Sequence, residues 1–547
     1  MTKQWYVLLP VAAVLAACGT PHQQQQQQPL MAPKAKMDVM QMRVGAPAPA
    51  AAMQLTVERS RESYTPPVAN TEKYSKPEQN PVHVVAQQPI STFSIDVDTG
   101  SYSNVRRYLN NGSLPPVEAV RIEELVNYFP YDYPPPQSAQ HPFAVGVEVA
   151  QSPWKTDAQL VKIGIKAVDK TLGSLPPANL VFLVDISGSM SASNKLPLVK
   201  QTLRLLTRQM RPQDRITIIT YASGEELALP ATSGADKEQI LSVINRLQAG
   251  GSTNGSDAIQ MAYREAQKNY IANGINRILL ATDGDFNVGI TDFKTLKGMV
   301  AEKRAAGISL TTLGFGVGNY NEHLMEQLAD AGDGTYSYID TEREARKVLQ
   351  EQLTSSLATV ANDVKLQVEF NPKTVSQYRL VGYENRLLRA EDFNNDNVDA
   401  GDIGAGHTVT ALYEIIPVGK TGWLNSSRYQ AQPAQTAGDF SQEYAYLNIR
   451  YKPVGKKAST QMSVPINAPA QGAPALSQTS NDMRFATAVA SYGELLSGGK
   501  YAGRFSWNDT IALAKSAVGS DPHGLRAEFV ELVETANSLS SKQPAKQ

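Results

Sequence analysis

The chain has 547 residues, 42% of them apolar and 19% charged, ample material for buried cores; at usual domain sizes this length allows about three or four domains. The formal net charge is −1, so nothing favours nucleic acid or an anionic surface as a partner. No apolar run reaches the roughly twenty residues of a membrane-spanning helix, and a single cysteine excludes an internal disulfide and any CxxC metal knot.

Lys3 gives the amino end a positive charge, residues 5–15 form a short apolar core, and Leu15-Ala16-Ala17-Cys18 follows. A short apolar stretch ending in small residues is the pattern of an export signal, here residues 1–17. The tetrapeptide resembles the bacterial lipobox, which implies cleavage before Cys18 and lipid attachment there. Gly19 in place of Asp resembles an outer-membrane address. The chain is therefore expected in the cell envelope, lipid-anchored in the outer membrane and facing the periplasm. Residues 18–82 contain a run of Gln and then Ala, Pro and Met without apolar periodicity, and read as a disordered linker that supplies reach.

Residues 83–170 form the next region. Residues 92–98 alternate as a strand, 105–109 and 120–128 carry helical spacing, and 143–149 and 160–167 alternate again. The pattern then changes over 171–357. Apolar runs at 180–184, 216–219, 278–280 and 310–315 are separated by amphipathic stripes such as Leu196, Val199, Leu203, Leu206 and Met210. Apolar strands alternating with such helices predict a doubly wound α/β domain with a mainly parallel sheet. From 358 to 540 short alternating strands return, at 364–370, 409–416 and 444–451, and a helical tail follows. The flanks share one pattern, so the α/β block is expected to be an insertion between β-rich flanks, with strands 143–167 pairing with strands after 362.

Asp185, Ser187 and Ser189 alternate in a tight turn directly after the first parallel strand. Gly250-Gly251-Ser252-Thr253-Asn254 and Thr282-Asp283-Gly284-Asp285 supply two further polar loops at strand ends. Open α/β sheets bind ligands at the carboxyl ends of their strands. Carboxylates and hydroxyls gathered there offer hard oxygen ligands to a hard cation. The set resembles the metal-ion-dependent adhesion site of von Willebrand factor A domains. That resemblance implies Ser187, Ser189 and Thr253 as hydroxyl ligands, with Ser252 the alternative in the second loop. It implies Asp185 and Asp283 as direct or water-mediated ligands. The ion implied is Mg²⁺, with Mn²⁺ and Ca²⁺ as alternatives, and an Asp or Glu of a partner protein completes its shell. Residues 94–107, 123–129 and 401–407 are further similar to a family of uncharacterised bacterial envelope proteins with a von Willebrand factor A domain.

The expected function is thus metal-dependent protein recognition, not enzymatic catalysis. A metal-assisted hydrolase and a structural protein with a stabilising cation are the rival readings. The hydrolase lacks a His or Glu among the ligand positions to serve as base. Asp98-Thr99-Gly100-Ser101 spells an aspartic-protease motif, but no second copy exists to share its proton, so a turn is expected, with Asp96 and Asp98 on one face. His407 reads as a loop histidine, and Asp285 either supports the metal ligands or is a solvated loop carboxylate.

Overall fold

Alternation in the flanks and apolar runs in the middle give three sheets in the computed structural model. It describes residues 72, 74, 78–137, 141–170, 175–252, 257–284, 293–317, 321–349, 359–398, 400–425 and 440–542. Cys18, most of the expected linker, Thr253 and Asp285 lie outside the described residues. In chain order, β1 (His83–Val84) and β2 (Ile90–Ser94) precede helices α1 (Gly100–Asn110) and α2 (Ile122–Asn127) and the hairpin of β3 (Phe143–Gln151) and β4 (Gln159–Ala167). The central block follows as β5 (Ala178–Asp185), α3 (Leu196–Gln209), β6 (Arg215–Tyr221), β7 (Glu225–Ser233), α4 (Lys237–Arg246) and α5 (Ala258–Lys268). It continues as β8 (Ile275–Thr282), α6 (Phe293–Ala305), β9 (Ser309–Phe315), α7 (Glu322–Ala331), β10 (Tyr336–Ile339) and α8 (Glu342–Lys347). Next come β11 (Thr359–Phe370), β12 (Val375–Val381), β13 (Leu387–Leu388), β14 (Ile403–Gly404), β15 (Thr408–Pro417), β16 (Glu443–Pro453) and β17 (Thr460–Asn467). The tail is α9 (Asn481–Leu496), α10 (Trp507–Ser516) and α11 (Leu525–Ser540).

The central sheet runs β10-β9-β8-β5-β6-β7, parallel except for β7. Its strands are apolar on both faces because helices cover both. Val199, Leu203 and Leu206 of α3 pack on one face with Ile240 and Ile244 of α4. Ile259 and Ala262 of α5, Val300 of α6 and Leu328 of α7 pack on the other.

The flanks make two antiparallel sheets, β1-β12-β15-β4-β3 and β13-β2-β11-β16-β17. The expected pairing across the insertion is present: β4 lies beside β15, with Ile163 opposite Ala411. Alternate residues of the two sheets interleave in a single core, Val161, Ile163 and Ile165 meeting Leu366, Val368, Leu447 and Ile449. The opposite face of β4 and β15 presents Leu160 and Leu412 to α2, α9 and α11, so this sheet too is covered twice. Both ends of the insertion rest on one segment: Gly406 N–H donates to the Val168 carbonyl at 2.9 Å, and Thr359 pairs with Gly404.

Two expectations change. The strand predicted over 92–98 stops at Ser94, because Asp96 and Asp98 leave the ladder to meet Arg386 at 3.3 and 2.8 Å. The linker predicted to reach residue 82 ends earlier, since Asn80 is buried and donates to the carbonyls of Leu380 (3.2 Å) and Gly382 (2.6 Å). A segment held by its polar atoms leaves no apolar pattern to read.

The central block meets the flanks through buried charge. Arg121 pairs with Glu124 (3.2 Å), Glu322 (3.1 Å) and Glu326 (3.3 Å). Arg386 pairs with Asp96, Asp98, Glu326 (3.2 Å) and Asp330 (3.0 Å). Carboxylates outnumber guanidiniums here. Burial, opposed chiefly by the arginine charges and reinforced to a lesser degree by neighbouring carboxylates, pushes Glu322 up to about 8 and Glu124 and Asp330 up to about 7. These groups hold protons in the folded chain that the unfolded chain releases near 4.5 for the glutamates and 3.8 for Asp330. Their stabilisation is full below those values and is lost as pH rises through the folded pKa values. The thermal midpoint is therefore expected to fall between about pH 5 and about pH 8, and Glu322→Gln is expected to flatten that slope. Calorimetric scans across this range check it; an unchanged slope in Glu322→Gln would assign the pH dependence elsewhere.

Candidate functional site

The parallel strands place their carboxyl ends side by side. Asp185, the last residue of β5, is in register with Tyr221 of β6, and Val184 with Ala281 of β8, so Thr282 and Asp283 emerge beside Asp185. Both aspartates are fully buried. Asp185 Oδ1 accepts from the Ser187 backbone N–H at 2.8 Å, and its Oδ2 accepts from Thr282 Oγ1 at 3.2 Å. The first contact curls the turn, and the Ser187 and Ser189 hydroxyl oxygens come within 3.0 Å of each other. Asp283 Oδ2 accepts from Lys195 Nζ at 2.8 Å.

The second loop is stitched to the first. Gly188 N–H donates to the Gly251 carbonyl at 3.0 Å and Gly250 N–H to the Ile186 carbonyl at 2.8 Å. Gly251 has φ +82°, and a Cβ on it would stand 2.6 Å from Ser223 Oγ, so the approach requires glycine. Ser252 is exposed and its backbone N–H donates to Ser223 Oγ at 3.1 Å.

Of the predicted residues, Asp185, Ser187 and Ser189 are brought into one hydrogen-bonded cluster with Asp283 close by. Ser252 stands in the adjoining loop, beside the undescribed Thr253. Burial pushes the Asp185 carboxyl above its ordinary range; the Ser187 contacts oppose this and the charge of Asp283 adds to it. Two buried carboxylates at neighbouring strand ends, with hydroxyls beside them, are a donor set that a hard dication fits. Among the described residues no three His, Cys, Asp or Glu side chains gather to hold an ion. Sequence reasoning missed Thr282, which holds Asp185, and Lys195, which holds Asp283. Thr282 was legible as a hydroxyl next to the loop aspartate; no spacing marks Lys195.

The other singled-out residues lie elsewhere. Asp98 accepts from the Tyr336 backbone N–H at 2.9 Å and pairs with Arg386, and the protease-like motif is the start of a helix rather than the expected turn, with Thr99 the N-cap of α1 and Gly100 and Ser101 its first residues. His407 lines a cavity of about 380 Å³ with Asp96, Asp330 and Arg277, between β10 and the flanking strands. Burial and the nearby Lys347 and Lys166 charges push its imidazole down to about 4.

The family described as von Willebrand factor type A domain matches residues 179–352, and that described as "Uncharacterized protein YfbK, C-terminal" matches 355–539. A further match, described as von Willebrand factor, covers 68–162. The chain is 47% identical over 493 residues to "Uncharacterized protein YfbK" of Escherichia coli, covering 89% of this chain and 85% of that protein. It is 30% identical over 183 residues to the human inter-alpha-trypsin inhibitor heavy chain H4, covering 32% of this chain and 20% of that one. Among solved structures, a von Willebrand factor type A protein from Catenulispora acidiphila aligns over 73% of this chain and 91% of its own, at 14% identity and a TM-score of 0.40.

Proposed function

This chain belongs to the YfbK family and carries a von Willebrand factor type A domain, and from that premise we propose that it grips a partner protein through a divalent cation held at the end of β5. Asp185, Ser187, Ser189, Thr253 and Asp283 are the proposed ligands, and Mg²⁺ the ion that best matches small, hard oxygen donors. The observation that carries the reading is the cluster itself: Asp185 bound to Ser187, the Ser187 and Ser189 hydroxyls 3.0 Å apart, and buried Asp283 alongside. The residues do the positioning: Asp185 fixes the turn through the Ser187 N–H, and the loop of Gly250 and Gly251 braces it from the side. A cation here keeps positive character because most donors are neutral, and a carboxylate of the partner completes its shell. Crosslinking in intact cells tests this. A partner captured by the native chain and lost with Asp185→Ala is the expected result; equal capture by both contradicts it.

The place of action is part of the proposal. The segment ending in Leu15-Ala16-Ala17-Cys18 supports a lipid anchor and an envelope location, most fittingly the outer membrane facing the periplasm. Labelled fatty acid is expected to enter the native chain and not Cys18→Ala. Equal labelling of the two would remove the anchor.

A further inference from the structure

The Lys195–Asp283 pair stands inside the proposed cation site, and four observations show that it is built rather than incidental. Lys195 Nζ lies 2.8 Å from Asp283 Oδ2, with the lysine side chain 8% exposed and the aspartate 0%. The backbone of Lys195 is fixed at both ends: its N–H donates to the Ala192 carbonyl at 3.0 Å, and its carbonyl accepts from Val199 N–H, in the first turn of α3, at 2.9 Å. Its stem crosses Gly316, just after β9, so closely that a Cβ there would stand 2.3 Å from Cε and 2.5 Å from Cγ. Gly316, at φ +78°, has its carbonyl held by the Tyr338 hydroxyl. The channel for the lysine therefore exists only because residue 316 has no side chain and is held in place.

We infer that Lys195 is a tethered counter-cation that competes with the divalent ion for Asp283 and so sets how tightly the site holds metal. The inference rests on the cation reading above. Without an ion, two buried carboxylates, Asp185 and Asp283, would face each other at the end of the sheet, and the ammonium neutralises one of them. With an ion bound, the same ammonium withholds part of the charge of Asp283 and repels the dication. The lysine thus stabilises the metal-free chain and weakens metal binding. A site balanced this way fills and empties as cation concentration changes, instead of holding its ion permanently.

The test is a calorimetric titration of the full folded chain with Mn²⁺, alongside thermal unfolding in EDTA, for the native protein, Lys195→Met and Lys195→Gln. Methionine keeps the stem's bulk without charge; glutamine also keeps a hydrogen bond to Asp283, and so serves if methionine does not fold. Both are expected to melt earlier than the native chain in EDTA and to bind Mn²⁺ about tenfold or more tightly. If the native chain binds Mn²⁺ and the folded variants bind equally or more weakly, the counter-cation role is overturned and the cation site stands. If only the variants bind, the role stands and the native chain is no cation-dependent gripper. If none binds, both are overturned.

Discussion

Replacing Arg106 by Met is expected to lower the stability of the folded chain by about 3–5 kcal/mol, the scale for breaking a buried charge pair from one side. Arg106 is 1% exposed and joins three regions. From α1 it reaches Asp340 (2.8 and 2.5 Å) and Glu344 (2.8 Å) in the central block, and Glu528 (3.1 Å) in α11. The Tyr128 hydroxyl completes the set, accepting from Arg106 at 3.0 Å and donating to Glu344 at 2.7 Å. Without the guanidinium, Asp340 and Glu344 remain buried as carboxylates that have lost their main partner, and the desolvation already incurred is no longer offset. Urea unfolding measures the loss. Adding Asp340→Asn and Glu344→Gln to the Arg106→Met variant is expected to recover much of it, because the stranded charges are then gone. A loss under about 1 kcal/mol in the single variant would show the network to be marginal to the fold.

The second large effect concerns the cation. Asp185→Ala is expected to abolish measurable Mg²⁺ or Mn²⁺ binding, and Thr253→Ala to weaken it less, because water can partly replace a hydroxyl but not a carboxylate. An ion that binds only the folded chain stabilises it by about 2.7 kcal/mol at a hundredfold excess over its dissociation constant. That gain should vanish in Asp185→Ala. The fold itself should survive, because Asp185 ends its strand and the β5 core is carried by Leu180 to Val184 behind it. Thermal scans with and without cation read both quantities; a full cation-dependent shift in Asp185→Ala would remove this residue from the site.

How much of this was legible in the sequence follows from the range of the forces involved. The cluster at the end of β5 was readable because its members are two residues apart and follow an apolar run that can only be a buried strand. Asp283 was readable for the same reason at the end of β8. The pairing of β4 with β15 followed from shared alternation on either side of the α/β block. The strand β17 was missed although Met462, Val464 and Ile466 alternate, because Pro465 within it argues against a strand and fits only at an edge, and β10 because Tyr336-Ser337-Tyr338-Ile339 is too short to show a period. The long-range ion pairs were unreadable. Arg106 and Asp340 are 234 positions apart, and Asp98 and Arg386 are 288 apart, and local spacing carries no trace of such partners.

The most direct test of the central claim is crystallographic. Crystals of the folded chain grown with Mn²⁺ should give an anomalous scattering peak among Asp185, Ser187, Ser189 and Asp283, with Thr253 closing the second loop onto it. A peak elsewhere in the molecule, or none at that position in crystals saturated with Mn²⁺, would contradict the account.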